Sequence, residues 1–179
     1  MRLILIVLLA LGLLVSCGDD GENGGGGGNG GLLGEMRARV DGTLWQSTIA
    51  LCYIVDYPDP EDEDVVYLSG VRREISGQET TYSSISFSFD YHEISPPDTI
   101  AYPYESPQGV GHMAWYSSCT TDPTCGYMST SGKLIITSWG GIGGKAQGTF
   151  EFVAVNIFES DTVYVTQGYF NVPISRQAP

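Results

Sequence analysis

The stretch that decides the fold is SISFSFDYH, residues 84–92. Ile85, Phe87, Phe89 and Tyr91 take alternate positions, and Ser84, Ser86, Ser88 and Asp90 take those between. A repeat of two residues places one set on each face of an extended chain, which is the pattern of a half-buried β-strand. Working outward, similar runs occur at EMRARV (35–40), TIALCYIV (48–55), DVVYLSGV (64–71), VGHMAWYS (110–117), GKLIITSW (132–139), GTFEFVAVNIF (148–158) and DTVYVTQGYFNVPI (161–174). Between them lie turn-forming clusters: VDG, YPDPEDED, ISGQET, SPPD, SPQG, TTDP, GGIGG and ESD. No helical periodicity follows the first 34 residues. Eight or nine short strands without crossover helices predict an all-β domain, an antiparallel sandwich or barrel.

Two strands carry further information. In GTFEFVAVNIF, Phe150, Phe152 and Ala154 share one face, while Val153, Val155 and Ile157 share the other. Apolar residues on both faces predict a central strand covered on both sides. In the last run the apolar phase shifts, from Val163 and Val165 to Phe170, Val172 and Ile174, with Gly168 at the switch. A glycine where strand parity flips predicts a β-bulge.

The amino-terminal segment reads differently. Arg2 precedes an apolar stretch, Leu3 to Val15, of roughly 13 residues, within the roughly 7–15 of a signal-peptide core and short of the roughly 20 that span a bilayer. It ends at Leu14-Val15-Ser16-Cys17, which resembles the lipobox of bacterial lipoproteins. That resemblance implies a signal peptide over 1–16, a diacylglycerol thioether on the Cys17 sulfur, and acylation of the new amino group. Several acyl chains, each contributing roughly 0.8 kcal/mol per buried methylene, hold a protein durably on a membrane where one does not. Gly18 is not the aspartate that retains such proteins in the inner membrane, and Asp19 and Asp20 resemble acidic surface-export tags. The expected address is therefore the bacterial outer membrane, periplasmic or surface-facing. Residues 17–34 are dominated by glycine, a composition expected to stay disordered. As a flexible leash it reaches roughly 20–25 Å on average.

Residues 35–179 then form one expected domain, long enough for a core without staples. The net charge of −13 argues against nucleic acid, which requires a basic footprint, and against a body lying on anionic lipid. The expected membrane contact is the amino-terminal lipid alone. With Cys17 assigned to lipid, Cys52, Cys119 and Cys125 remain of the 4 cysteines. An exported protein meets an oxidising compartment. The CTTDPTC run places Cys119 and Cys125 either side of an Asp-Pro turn, which favours their pairing. Pairing of Cys52 with either is the alternative, and an unpaired Cys52 would be a small buried apolar residue.

The runs ARVDGTLWQST, SGKLIITSW, QGTFEFVAVN and VYVTQGYFNVPI occur in an order and spacing that resemble a family of uncharacterised bacterial lipoproteins. The resemblance covers Glu35 to Ser175, with gaps through the acidic loop and the Asp122-Pro123 turn. It implies a lipid-anchored antiparallel β domain. The family has no established activity, so no catalytic residue follows from it. The Cys119 and Cys125 pair departs from the family pattern and would be a local staple.

Candidate chemistry is thin. GGIGGKAQGTF is one residue short of a phosphate loop, carries Ala146 where a magnesium-binding hydroxyl belongs, and precedes a strand. HEISP from His92 begins like a zinc-protease motif but has Pro96 in the second histidine's place. His112 is the only other histidine, so a three-histidine zinc site cannot be built. A Ser-His-Asp triad is formally possible around either histidine, without a nucleophile elbow to support it. DYPDPEDEDV, from Asp56 to Val65, concentrates carboxylates that could attract calcium but lacks the ligand order of a calcium loop. It reads as a solvated loop, and no cofactor is expected. The 11 Tyr and 3 Trp are mostly packing residues, although exposed ones can form a platform for sugars or proteins. Trp115 and Tyr116, adjacent on one strand, must face opposite sides. The expected function is non-enzymatic: an envelope domain binding a glycan or envelope protein through loops at one end, without catalytic or metal residues. The alternatives are a glycosidase-like hydrolase using loop carboxylates and a purely structural envelope protein.

Overall fold

The computed structural model describes residues 34–55, 64–91, 94–102, 112–119, 123–156 and 158–177. Ten strands form one continuous sheet: β1 (Glu35–Val40), β2 (Thr43–Gln46), β3 (Ile49–Val55), β4 (Val65–Ser76), β5 (Glu79–Asp90), β6 (Asp98–Tyr102), β7 (Met113–Ser117), β8 (Gly126–Trp139), β9 (Lys145–Val155) and β10 (Thr162–Gln177). A short 3-10 turn, Pro123–Cys125, precedes β8. Seven strands, β3-β4-β5-β7-β8-β9-β10, close into a ring. The domain is thus a barrel, and the all-β expectation holds.

The ring's parity dictates one further feature. Strands that alternate up and down around a ring must be even in number to be antiparallel throughout; seven force one parallel pair. That pair is β10 with β3, with Ile174 beside Cys52 and Gln177 beside Val55. All other pairings are antiparallel. The long strands each serve two partners along one edge. β10 takes β1 from Val165 to Asn171 and then β3, while β8 takes β7 from Gly126 to Met128 and then β6 from Gly132 to Ile136.

Strands β2 and β6 were absent from the expected set. β2 spans four residues, too few for a period of two to declare itself, and β6 follows directly on the SPPD turn. The expectation for β9 is also corrected. Phe150, Phe152 and Ala154 point into the barrel, but Val153 and Val155 are half-exposed, so one face alone is covered. Ile157 lies outside the described residues. β-Branched residues suit a pleated surface whether or not it is covered, which is why the outer face misled. On β5 the reverse occurs. Ile85, Phe87 and Phe89 fill the interior as expected, yet Ser84, Ser86, Ser88 and Asp90 on the outer face are buried too. Larger outward side chains stand opposite these serines, with Tyr67 beside Ser88 and Trp115 beside Ser86, and Ser69 and Ser86 hydrogen-bond at 2.7 Å.

The β10 bulge lies where the phase shift placed it, between Val165 and Gly168. Gln167, not the glycine, takes the left-handed conformation (φ 52°). Gly168 is required for space: a Cβ there would stand 2.3 Å from the Phe150 ring.

Cys119 and Cys125 are joined, with 5.6 Å between their Cα atoms. Closing so short a loop restricts the unfolded chain, and replacing both cysteines by serine is expected to cost about 2 kcal/mol. In a thermal melt that is a fall of roughly 5–10 °C, and an unchanged midpoint would contradict it.

Cys52 is free and buried in the barrel wall. Burial pushes its thiol from an ordinary 9.0 up to about 12, and burial also holds the Tyr102 hydroxyl well above 10. For groups whose folded-state pKa is raised, the stabilisation is complete below the unfolded value and drains as pH climbs towards the folded one. Stability should therefore fall between pH 9 and 12, by about 3 kcal/mol at pH 11 from Cys52 alone. Urea midpoints at pH 8 and 11, for the protein and for Cys52→Ala, test this. Equal midpoints for the unsubstituted protein at the two pH values would refute it.

Candidate functional site

The barrel has two unlike ends. At one, the β1–β2, β4–β5 and β9–β10 hairpins project. Asp41 and Gly42, both at positive φ (48° and 79°), make the two-residue turn that joins β1 to β2, the arrangement an Asp-Gly pair favours. Gly77 (φ 64°) serves β4–β5, whose last rungs, from Arg73 with Tyr82 to Ser76 with Glu79, stand clear of the ring. In the third, the Asn156 side chain accepts hydrogen bonds from Phe158 N and Glu159 N (2.8 and 3.1 Å).

Between the first two hairpins and the end of β7 lies a recess of about 170 Å³. Its wall is built by alternation. Arg72 and Glu74 are two apart on β4 and face Ser83 and Thr81 of β5. Trp45, buried at 2% exposure, donates its indole N–H to Ser83 Oγ at 2.9 Å and so fastens β2 across the opening. The Arg72 guanidinium contacts the Glu74 carboxylate and reaches the Leu44 carbonyl at 3.4 Å. Val40, Thr43, Tyr82, Tyr116 and Ser118 complete the lining.

Two phenols of this end, Tyr116 and Tyr127, are held above their ordinary range. Burial raises the Tyr116 hydroxyl above its ordinary range, reinforced by Tyr127, Asp41 and Glu74 and opposed by Arg72. Tyr127, whose ring lies 5.7 Å from that of Tyr116, is raised by burial and by its bond to Asp161 (3.2 Å). Three nearby carboxylates are engaged. Glu74 meets Arg72, Asp161 accepts from Tyr127 and from Thr162 N, and Asp41 accepts from Tyr164 N. Among the described residues, six of the seven large apolar side chains left exposed lie towards this end: Leu44, Ile75, Tyr82, Met128, Phe158 and Tyr164.

The sequence candidates are distributed as follows. Cys17 lies outside the described residues, as do His92 and residues 56–63 of the acidic run. The Cys119–Cys125 bond lies at the hairpin end, before β8, where Ser118 N also bonds to Cys125 O at 3.2 Å. Tyr116 packs towards the core while Trp115 faces outward, and Trp139 lies 6.3 Å from the Tyr91 ring. Tyr53 and Tyr67 stack at 5.2 Å on the outer wall. The GGIGG run is a hairpin turn, with Gly141 and Gly143 at positive φ. At the opposite end His112 Nε2 lies 3.1 Å from Asp90 Oδ2, with both side chains buried. Among the described residues no group of three or more His, Cys, Asp or Glu side chains is placed to hold a metal ion.

Sequence reading missed Arg72, Glu74 and Tyr82, because RREISGQETTY presents itself as flanks of a turn. The alternation Arg72, Glu74 was the available signal. The class so defined is a closed seven-stranded barrel with a filled interior and one polar, apolar-rimmed mouth. Comparison with known protein families, with curated proteins and with solved structures finds no match to this chain.

Proposed function

We propose that this protein is a lipid-anchored domain of the bacterial envelope, similar to the uncharacterised lipoproteins it resembles, and that it binds its ligand without transforming it. Cys17 carries the lipid, residues 18–34 act as the leash, and the barrel mouth is the binding site. The ligand is a glycan or an envelope protein; nucleic acid and cofactors have no part, given the net charge of −13 and the motif reading above. One observation carries the reading. The interior is filled by side chains such as Phe87, Phe150 and Phe152, and among the described residues an accessible recess opens at the mouth, where Glu74, Asp161 and Asp41 already meet neighbouring donors. A hydrolase of the carboxylate type needs two acids facing across a substrate, about 5–9.5 Å apart, with one free to donate a proton.

Two measurements test this. The mature amino-terminal peptide should carry diacylglyceryl and acyl mass at Cys17; a bare thiol removes the anchor. The purified full-length chain should be retained by envelope glycans or envelope extract. Absence of retention removes the binding role, and glycoside turnover that disappears in Glu74→Gln would replace it with catalysis.

A further inference from the structure

Binding at the mouth leaves the ligand's chemistry open, and the lining narrows it. Arg72 and Glu74 are already in contact, so the recess presents a guanidinium and a carboxylate whose charges cancel locally. An anionic ligand drawn to Arg72 would meet Glu74; a cation drawn to Glu74 would meet Arg72. A neutral ligand rich in hydroxyl groups meets neither difficulty. Its hydroxyls donate to the carboxylate and accept from the guanidinium, and neither charge is stranded. The other polar groups have the same dual character. Ser83 Oγ accepts the Trp45 N–H and keeps its own proton to donate, and Thr43, Thr81 and the protonated Tyr116 hydroxyl can each donate or accept. Leu44 and Tyr82, 57% and 37% exposed, lie on the rim of the recess. A ring with hydroxyls around its edge and C–H groups on its face matches both kinds of surface.

The geometry points to the barrel mouth as a site for a neutral saccharide ring. This rests on the binding role proposed above and specifies its ligand.

The test uses the full-length protein, purified in detergent, and equilibrium titrations with cellobiose, maltose, lactose and N,N′-diacetylchitobiose. Glucuronate, glucosamine and inorganic phosphate are the charged counterparts. At least one neutral sugar should bind, the charged probes about tenfold more weakly or not at all. Glu74→Gln and Tyr82→Ala should each weaken the sugar about tenfold, the loss of one charge-assisted bond or one wall. Both positions are exposed on the overhanging hairpin, so melting should be little changed, and Ile142→Ala at the opposite end should bind as the unsubstituted chain does. Failure of every neutral sugar, tighter binding of a charged probe, or full affinity in both mouth variants would overturn the inference. If envelope extract still retains the chain while all sugars fail, the saccharide assignment falls alone. If nothing is retained, the binding role falls with it.

Discussion

Phe87→Ala should lower stability by about 3–5 kcal/mol, the range for emptying a buried aromatic site. Phe87 is fully buried on β5, and three rings converge on it: Phe150 at 4.9 Å, Phe152 at 5.7 Å and Tyr102 at 5.7 Å. Phe150 and Phe152 come from β9, so the one side chain links β5 to the far side of the ring, while Tyr102 comes from β6, which pairs with β8 outside it. A barrel this narrow has an interior that side chains just fill, and its closed wall cannot collapse to fill the void. Against a total of about 5–15 kcal/mol, such a loss leaves a marginal fold. Urea unfolding should show a lower midpoint with an unchanged slope; a cost below about 1 kcal/mol would mean the interior is loosely packed, contrary to the ring geometry.

Gly148→Ala should cost at least about 3 kcal/mol, at the upper end of overpacking effects. A Cβ at Gly148 would stand 2.0 Å from the Ile135 carbonyl oxygen and 2.6 Å from the Phe170 ring. The ring can tilt, but the carbonyl belongs to β8, whose ladder with β9 fixes it. Gly77→Ala is the control. It meets nothing within 4 Å and suffers only its positive φ of 64°, a strain of about 1–2 kcal/mol. If the two substitutions cost the same, close approach of the β8 and β9 backbones is not what Gly148 provides.

The strand content was legible because alternation and turn chemistry agree over most of the chain. Residues 84–92 announce β5, and the VDG cluster marks the turn that ends β1, though not the short strand that follows it. What alternation cannot express is partnership. A strand's period says which residues share a face and nothing about which strand lies beside it, so the ring and its parallel pair were invisible. Strand length set a second limit, and four residues of β2 passed unnoticed although they carry Trp45, the side chain that closes one wall of the mouth. The candidate site was illegible for the same reason. Arg72, Glu74 and Tyr82 are surface residues of a hairpin until the β1–β2 hairpin and Tyr116 are brought against them. Likewise Asp90 ends β5 and His112 immediately precedes β7, and only the β5–β7 pairing makes them neighbours. The disulfide was partly legible: six positions and an Asp-Pro turn favoured Cys119 with Cys125, and Cys52, the alternative partner, is free.

The parallel pair also sets a schedule. Residues 52–55 of β3 leave a ribosome more than a hundred residues before their partners, 174–177 of β10. Until those four residues arrive, β3 has one vacant edge and the cylinder is an open ribbon. Contacts so distant in sequence form slowly. A chain built this way stays an open ribbon until the second of the two segments has been made, and only then can the ring close.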